Sequence, residues 1–290
     1  MPVLHPSRPT RRGFLNILRK GGLATLGVGL YTWRIEPHLV EVVERDLPIR
    51  GLPEALARRT LAQISDLHVG RIVDPNYLAW ALRLVSSLHP DLVAITGDFM
   101  SCESGEQVDQ VARVMEHLRP APLGCYAILG NHDYGRGWSH QEAADRLTRR
   151  ITEQGIVVLR NSLHVVAGLQ LAGLDDMWGR NFHPKKVLPH IDPTQPALVL
   201  CHNPDAVDVP RWFGYKGWIL AGHTHGGQCK PPFLPPLLLP VQNRRYTAGE
   251  FDLGDGRRLY INRGLGYLRR VRFNVRPEIT LFRLVPEPSA

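Results

Sequence analysis

The chain has 290 residues, 43% hydrophobic and 21% charged, a balance that excludes intrinsic disorder and collagen-like repeats. Its net charge is +8, yet no block of five basic residues occurs, which argues against a nucleic-acid-binding arm. What remains as a functional reading of the charge is attraction to anionic lipid headgroups or to polyanionic substrates.

Thr10-Arg11-Arg12-Gly13-Phe14-Leu15 opens a basic region that closes at Arg19-Lys20, and an uncharged, glycine-rich apolar run follows over 21–33. Arg-Arg-x-Phe-Leu ahead of a mildly apolar run resembles a twin-arginine export signal. The run falls short of the about 20 apolar residues that a membrane span needs. No A-x-A cleavage site precedes Arg34. Residues 1–33 are therefore expected to remain as a leader or N-terminal membrane anchor, followed by a single domain over 34–290. The competing reading of the leader is an amphipathic helix packed on the domain. The expected location is membrane-associated, exported by the twin-arginine route to the periplasm or outer face of the cytoplasmic membrane. Anchoring at the cytoplasmic face of the inner membrane is the alternative.

The domain alternates short apolar runs with helix-like stretches. In chain order these are a strand over 61–64, a helix over 77–88, a strand over 92–96, a helix over 108–118 and a strand over 126–129. The second helix carries Val108, Val111, Val114, Met115 and Leu118 at a 3.6-residue period. A hairpin about Gly168 pairs 164–167 with 169–173, and apolar strands follow over 197–201 and 218–221. Residues 231–240 (PPFLPPLLLP) are apolar but too rich in proline for a helix or an inner strand. A hairpin at Asp255-Gly256 joins 251–253 to 258–261, and a last strand covers 279–284. The pattern predicts an α/β fold in which two mixed β-sheets pack as a sandwich flanked by helices.

Five motifs directly follow the apolar runs: Asp66-Leu67-His68, Gly97-Asp98, Gly130-Asn131-His132-Asp133, His202-Asn203 and Gly222-His223-Thr224-His225-Gly226-Gly227. A lone Asp-x-His or Gly-Asp is ordinary turn chemistry. Two histidines two apart in an extended segment face one side. Five such motifs after five strands fall on one edge of an α/β sheet, where ligands bind. Oxygen and imidazole donors without thiolate suit divalent Mn, Fe or Zn.

The ordered set D-x-H, G-D, G-N-H-D, H, G-H-x-H resembles the calcineurin-like metallophosphoesterase superfamily from about residue 60 to the C-terminus. GHTHGGQ at 222–228 and Asn262-Arg263-Gly264-Leu265-Gly266 are similar to its small bacterial branch with membrane or twin-arginine leaders. The resemblance implies the family's four-layer fold and two divalent metal ions. Asp66, His68 and His225 would hold the first, Asn131, His202 and His223 the second, and Asp98 would bridge them. It further implies that a shared water, made acidic by both ions, attacks phosphorus in line. His132 would face the phosphate as the catalytic group, with Asp133 orienting its imidazole or serving structure alone.

The implied function is hydrolysis of a phosphoester or phosphoanhydride, as a phosphodiesterase acting at the membrane. Alternatives are a UDP-2,3-diacylglucosamine pyrophosphatase of lipid A biosynthesis or a nuclease or nucleotide phosphodiesterase. The partner is a phosphate-ester substrate, lipid-linked if the leader and the apolar stretch at 231–240 serve one surface.

Overall fold

The computed structural model describes residues 11–101, 107–236 and 238–287; Thr10, Cys102 and Leu237 lie outside them. The N-terminal segment forms helix α1 (Arg11–Leu30), about 30 Å long at 1.5 Å per residue. Among the described residues no helix is long and apolar enough to cross a membrane. Leu15, Leu23, Leu26, Val28 and Leu30 are exposed along α1, so the packed-helix alternative is not what the structure shows for these side chains.

Among the described residues, twelve strands follow in two six-stranded sheets. In the first, β1 (Glu41–Ile49), β12 (Glu278–Pro286), β2 (Thr60–Ile64), β3 (Leu92–Thr96), β4 (Cys125–Ile128) and β5 (Ile156–Val158) lie in that spatial order. All neighbours are parallel except β12 and β2. In the second, the order is β10 (Gly249–Asp252), β11 (Arg257–Ile261), β9 (Gly217–Ala221), β8 (Ala197–Cys201), β7 (Leu169–Leu174) and β6 (Ser162–Val166). Only the two outer pairs, β10 with β11 and β7 with β6, are antiparallel. The two expected hairpins are these pairs. β11 joins β9 in parallel, and the last strand, β12, is antiparallel to β2 but parallel to β1.

Period-two alternation explains why the central strands read as unbroken apolar runs. Leu92 and Ala94 of β3 face the second sheet, while Val93 and Ile95 face helices α2 (Pro75–Ser87), α3 (Gln107–Met115) and α4 (Gln141–Thr152). Leu198, Leu200, Trp218 and Leu220 answer from β8 and β9 across the seam. Val199, Cys201, Ile219 and Ala221 point outward beneath Val187, Leu188, Ala206 and Trp212. A strand buried on both faces needs apolar residues at every position. The layer over this outer face is thin, made of single 3₁₀ turns at Pro184–Lys186, Leu188–His190 and Pro204–Asp208.

Helix α2 begins where Asp74 accepts a hydrogen bond from the Asn76 N–H at 2.9 Å and Pro75 fills the first turn. Strand β1 carries Glu41, Glu44, Arg45, Asp46 and Pro48, a composition tolerated at a sheet edge. The junction after α1 docks on the C-terminal region: Thr32 O accepts from the Arg272 N–H at 3.0 Å, and Glu36 Oε1 from the Val275 N–H at 2.7 Å.

Candidate metal centre

The C-terminal ends of β2, β3, β4, β8 and β9 deliver the five motifs to one place. Asp66, His68 and His225 offer ligand atoms within 4.8 Å of one another, and so do Asp98, His202 and His223. Each group draws on both sheets. Asp98 Oδ2 joins them, 3.5 Å from His68 Nε2 and 3.2 Å from His202 Nε2. Asp66 Oδ1 lies 3.3 Å from His225 Nε2. All six side chains are buried. His68, Asp98 and His132 form a third such group, in which His132 alone is partly exposed.

Hydrogen bonds decide which imidazole atoms face inward. His202 Nδ1 lies 2.7 Å from the Thr96 carbonyl and His223 Nε2 lies 2.8 Å from the Pro240 carbonyl. A carbonyl only accepts, so each of these nitrogens carries the proton and the opposite lone pair turns inward. This brings His223 Nδ1 to 3.2 Å from His202 Nε2, while His68 Nε2 lies 3.0 Å from His225 Nε2 with neither Nδ1 hydrogen-bonded. Ring nitrogens this close require a proton or a cation between them. Asn131 is buried with neither its amide oxygen nor its nitrogen hydrogen-bonded. An orphaned amide and convergent imidazoles and carboxylates, all N and O donors, fit divalent cations.

The electrostatics agree with a site made to receive positive charge. Burial pushes His68 and His223 down to about 3 and His225 well below the usual imidazole range. These imidazoles are therefore neutral at physiological pH and need lose no proton to act as ligands. Burial also pushes Asp66 up to about 6. Asp98 and His202 are the exceptions. Burial opposes both charges, but their mutual attraction holds Asp98 well below the carboxylate range and raises His202 to about 10.

Tight loops make this convergence possible. Asp66, His68, Asp98, His223 and His225 all have positive φ, between 48° and 71°. Gly130 and Gly222 admit the carboxylates: a Cβ on Gly130 would collide with Asp98 Oδ1, and one on Gly222 with Ser65 and Asp66.

Asp133 requires a correction. It does not orient the His132 ring. Its Oδ2 accepts from the N–H groups of Asp98 and Gly130, both at 2.9 Å, and its Oδ1 from Phe99 and Met100 at 2.8 and 3.1 Å. It clasps the loop after β3 to the loop after β4. The His132 ring packs edge-on to His68 at 4.8 Å, and its Nδ1 is buried without a protein partner.

Other contributors carry no sequence motif. Arg272 is fully buried and donates to the carbonyls of Arg263, Gly264, Gly266 and Val275 at 3.0, 3.1, 2.6 and 3.2 Å. The loop it holds donates from Leu265 N to Ser65 O and from Gly266 N to Asp66 O, propping the first ligand. Nothing in Arg269-Arg270-Val271-Arg272 marks the fourth residue as the buried one. Asp176 is buried at the end of β7, where burial pushes it up to about 6, and its Oδ1 has no partner.

The sequence model of the family described as calcineurin-like phosphoesterase matches residues 59–227, more than half of the chain and all seven candidate ligands. The chain belongs to the calcineurin-like phosphoesterases. As a member it is a phosphoric ester hydrolase, and its His/Asp clusters are able to bind metal ions. This phosphoesterase is 31% identical over 283 residues to the phosphodiesterase YaeI of Escherichia coli, covering 95% of this chain and 99% of the relative. It is 30% identical over 321 residues to the UDP-2,3-diacylglucosamine pyrophosphatase LpxG of Chlamydia trachomatis, covering 91% and 96%. The uncharacterized metallophosphoesterase YkuE of Bacillus subtilis is 30% identical over 283 residues, covering 94% and 95%.

Proposed function

We propose that this phosphoesterase hydrolyses a phosphodiester or phosphoanhydride at a dinuclear centre on a membrane surface. Asp66, His68 and His225 would hold one divalent cation, and Asn131, His202 and His223 the other, with Asp98 shared. The observation that carries this reading is Asp98 Oδ2, within 3.5 Å of an imidazole from each group. When bound, the ions supply Lewis-acid activation of water and neutralise charge on the phosphoryl oxygens. The protein's own part is to present the neutral imidazoles of His68, His223 and His225, to exclude solvent from the ligands and to aim His132 at the substrate. His132 is the one histidine of the cluster with an exposed edge, and its backbone N–H donates to Asp98 Oδ1 at 2.9 Å. Its imidazole is assigned proton donation to the leaving oxygen.

The membrane reading rests on apolar surface. Phe233, Leu234 and Leu238 stand exposed in the proline-rich stretch whose Pro240 carbonyl holds His223, and α1 exposes a run of leucines beside Arg11, Arg12, Arg19 and Lys20. Basic charge together with exposed apolar side chains favours an anionic bilayer. We assign the chain to the periplasmic side through its twin-arginine-like leader. The inner face becomes the assignment if the substrate is a nucleotide-linked lipid, as the name of the Chlamydia relative suggests.

The test is metal analysis of the purified protein together with a panel of monoester, diester, nucleotide and nucleotide-linked lipid. Two equivalents of divalent metal with diester or anhydride turnover are expected. Asp98→Ala and His223→Ala should lose both metal and hydrolysis, and turnover like wild type in either would refute the ligand scheme.

A further inference from the structure

Beside the metal centre lies a pair of indoles that the proposed chemistry leaves unused. Trp178 meets the His223 ring edge-on at a centroid distance of 4.5 Å. Trp138 packs on Trp178 at 4.7 Å and an interplanar angle of 36°, and stands 6.4 Å from the His132 ring. Both are only half-buried. One indole therefore touches a candidate ligand, and the other adjoins the residue aimed at the leaving group.

The pair is built rather than incidental. Trp138 sits at φ 57°, an outlier for a bulky side chain, next to Gly137 at φ 74°. Backbone outliers of this kind cluster at sites that use them. The Trp178 loop is fixed by Gly179 N donating to Asp176 Oδ2 at 2.5 Å and by Asn181 Nδ2 donating to Gly179 O at 2.8 Å. Asn161 Nδ2 also donates to the Asn181 carbonyl at 2.7 Å. A Cβ on Gly179 would come within 3.0 Å of the Trp138 carbonyl, so the two loops interlock.

The two loops also mirror one another in sequence, Arg136-Gly137-Trp138 and Trp178-Gly179-Arg180. Neither guanidinium has an ion-pair or hydrogen-bond partner among the described residues. Flat indole faces with free cations on the same loops match a planar, polar group attached to phosphate better than an alkyl chain. The exposed aliphatic side chains near His223 belong to a separate segment, at Leu234 and Leu238.

We infer that Trp138 and Trp178 are specificity-determining residues, a wall that selects phosphate esters whose organic group beside the scissile phosphorus is a planar aromatic ring. The inference rests on the phosphoesterase reading above. Its test compares binding of three nonhydrolysable probes, methylphenylphosphinate, dimethylphosphinate and methyloctylphosphinate, to the metal-loaded full chain by calorimetry. In parallel, the corresponding phosphodiesters are followed for cleavage.

The wild type should bind the phenyl probe about tenfold or more tightly than the methyl probe. Trp178→Ala should bring that ratio close to one, and Trp178→Phe should keep most of it. Trp138→Gly, which removes the ring and suits the positive φ, should lower the ratio as well. A ratio that survives in these variants while both affinities fall would assign the indoles to the scaffold and overturn the inference. Octyl binding at least as tight as phenyl would overturn it too. Selective phenyl binding without cleavage of any ester would count against the reaction and leave the wall standing. Cleavage without a phenyl preference would do the opposite.

Discussion

Asp133 shows how much one carboxylate can organise without touching substrate. Its two oxygens gather four backbone N–H groups from the loops that carry Asp98 and Asn131. Removing it strands those donors in a buried place, at about 1–3 kcal/mol for each one left unpaired. Asp133→Ala is expected to lower unfolding free energy in urea by about 3 kcal/mol or more, and stability like wild type would show that solvent replaces the carboxylate. His132 is the opposite kind of residue. His132→Ala should retain both metals and a native melting curve while turnover falls about 10²-fold, the contribution typical of a positioned acid. Metal lost from that variant would make His132 a ligand in the third group with His68 and Asp98. Each of the seven candidate ligand positions sits in a short motif after an apolar run, and the structure gathers six of them, all but Asn131, into two His/Asp groups. The role of Asp133 could not be read from the sequence. Adjacency to His132 suggests a partner for the imidazole, and only the turn at Asn131–Tyr134 reveals that the carboxylate faces back toward β3.

At the scale of elements, legibility followed burial. Strands β2, β3, β4, β8 and β9 are visible as apolar runs because both of their faces are covered. Strand β1 was not legible, since E-V-V-E-R-D-L-P-I mixes charge and proline in the manner of a loop. It is an edge strand, held by its parallel register with β12. Strand β5 is three residues long, too short for a period to show. The expected break in regular structure over 231–240 is present: the described residues there form no helix or strand. Helix α1 and the junction that follows it behave differently. The helix exposes its leucines, whereas Thr32 and Glu36 are bonded to the region that supports Asp66. Deletion of residues 1–30, which spares Thr32, should abolish sedimentation with anionic vesicles and leave kcat on a soluble diester within about twofold. A truncated protein that still sediments would assign membrane binding to residues 231–240, and a full chain that stays in the supernatant would exclude it.

The whole molecule carries its cost at the centre. Five of the seven candidate ligands have left-handed backbone, each at about 1–2 kcal/mol against the ordinary conformation. The Asn131 side-chain amide is buried without hydrogen bonds, and imidazole nitrogens face one another at 3.0 and 3.2 Å. Cations that bind only the folded form offset this cost, by about 2.7 kcal/mol at a hundredfold excess over Kd for one site. Stripping metal with a chelator should therefore lower Tm by about 5 °C or more, reversibly on adding the divalent ion back. An unchanged Tm would mean that the ions contribute nothing to folding.

Each ligand group takes donors from both sheets: Asp66 and His68 with His225, and Asp98 with His202 and His223. An ion bound there is a rivet through the sandwich. The halves cannot slide or part at that edge without emptying the site. With metal bound, occupancy and mechanical integrity would be one property, and a variant that loosens the seam far from the motifs should first reveal itself as a leak of metal.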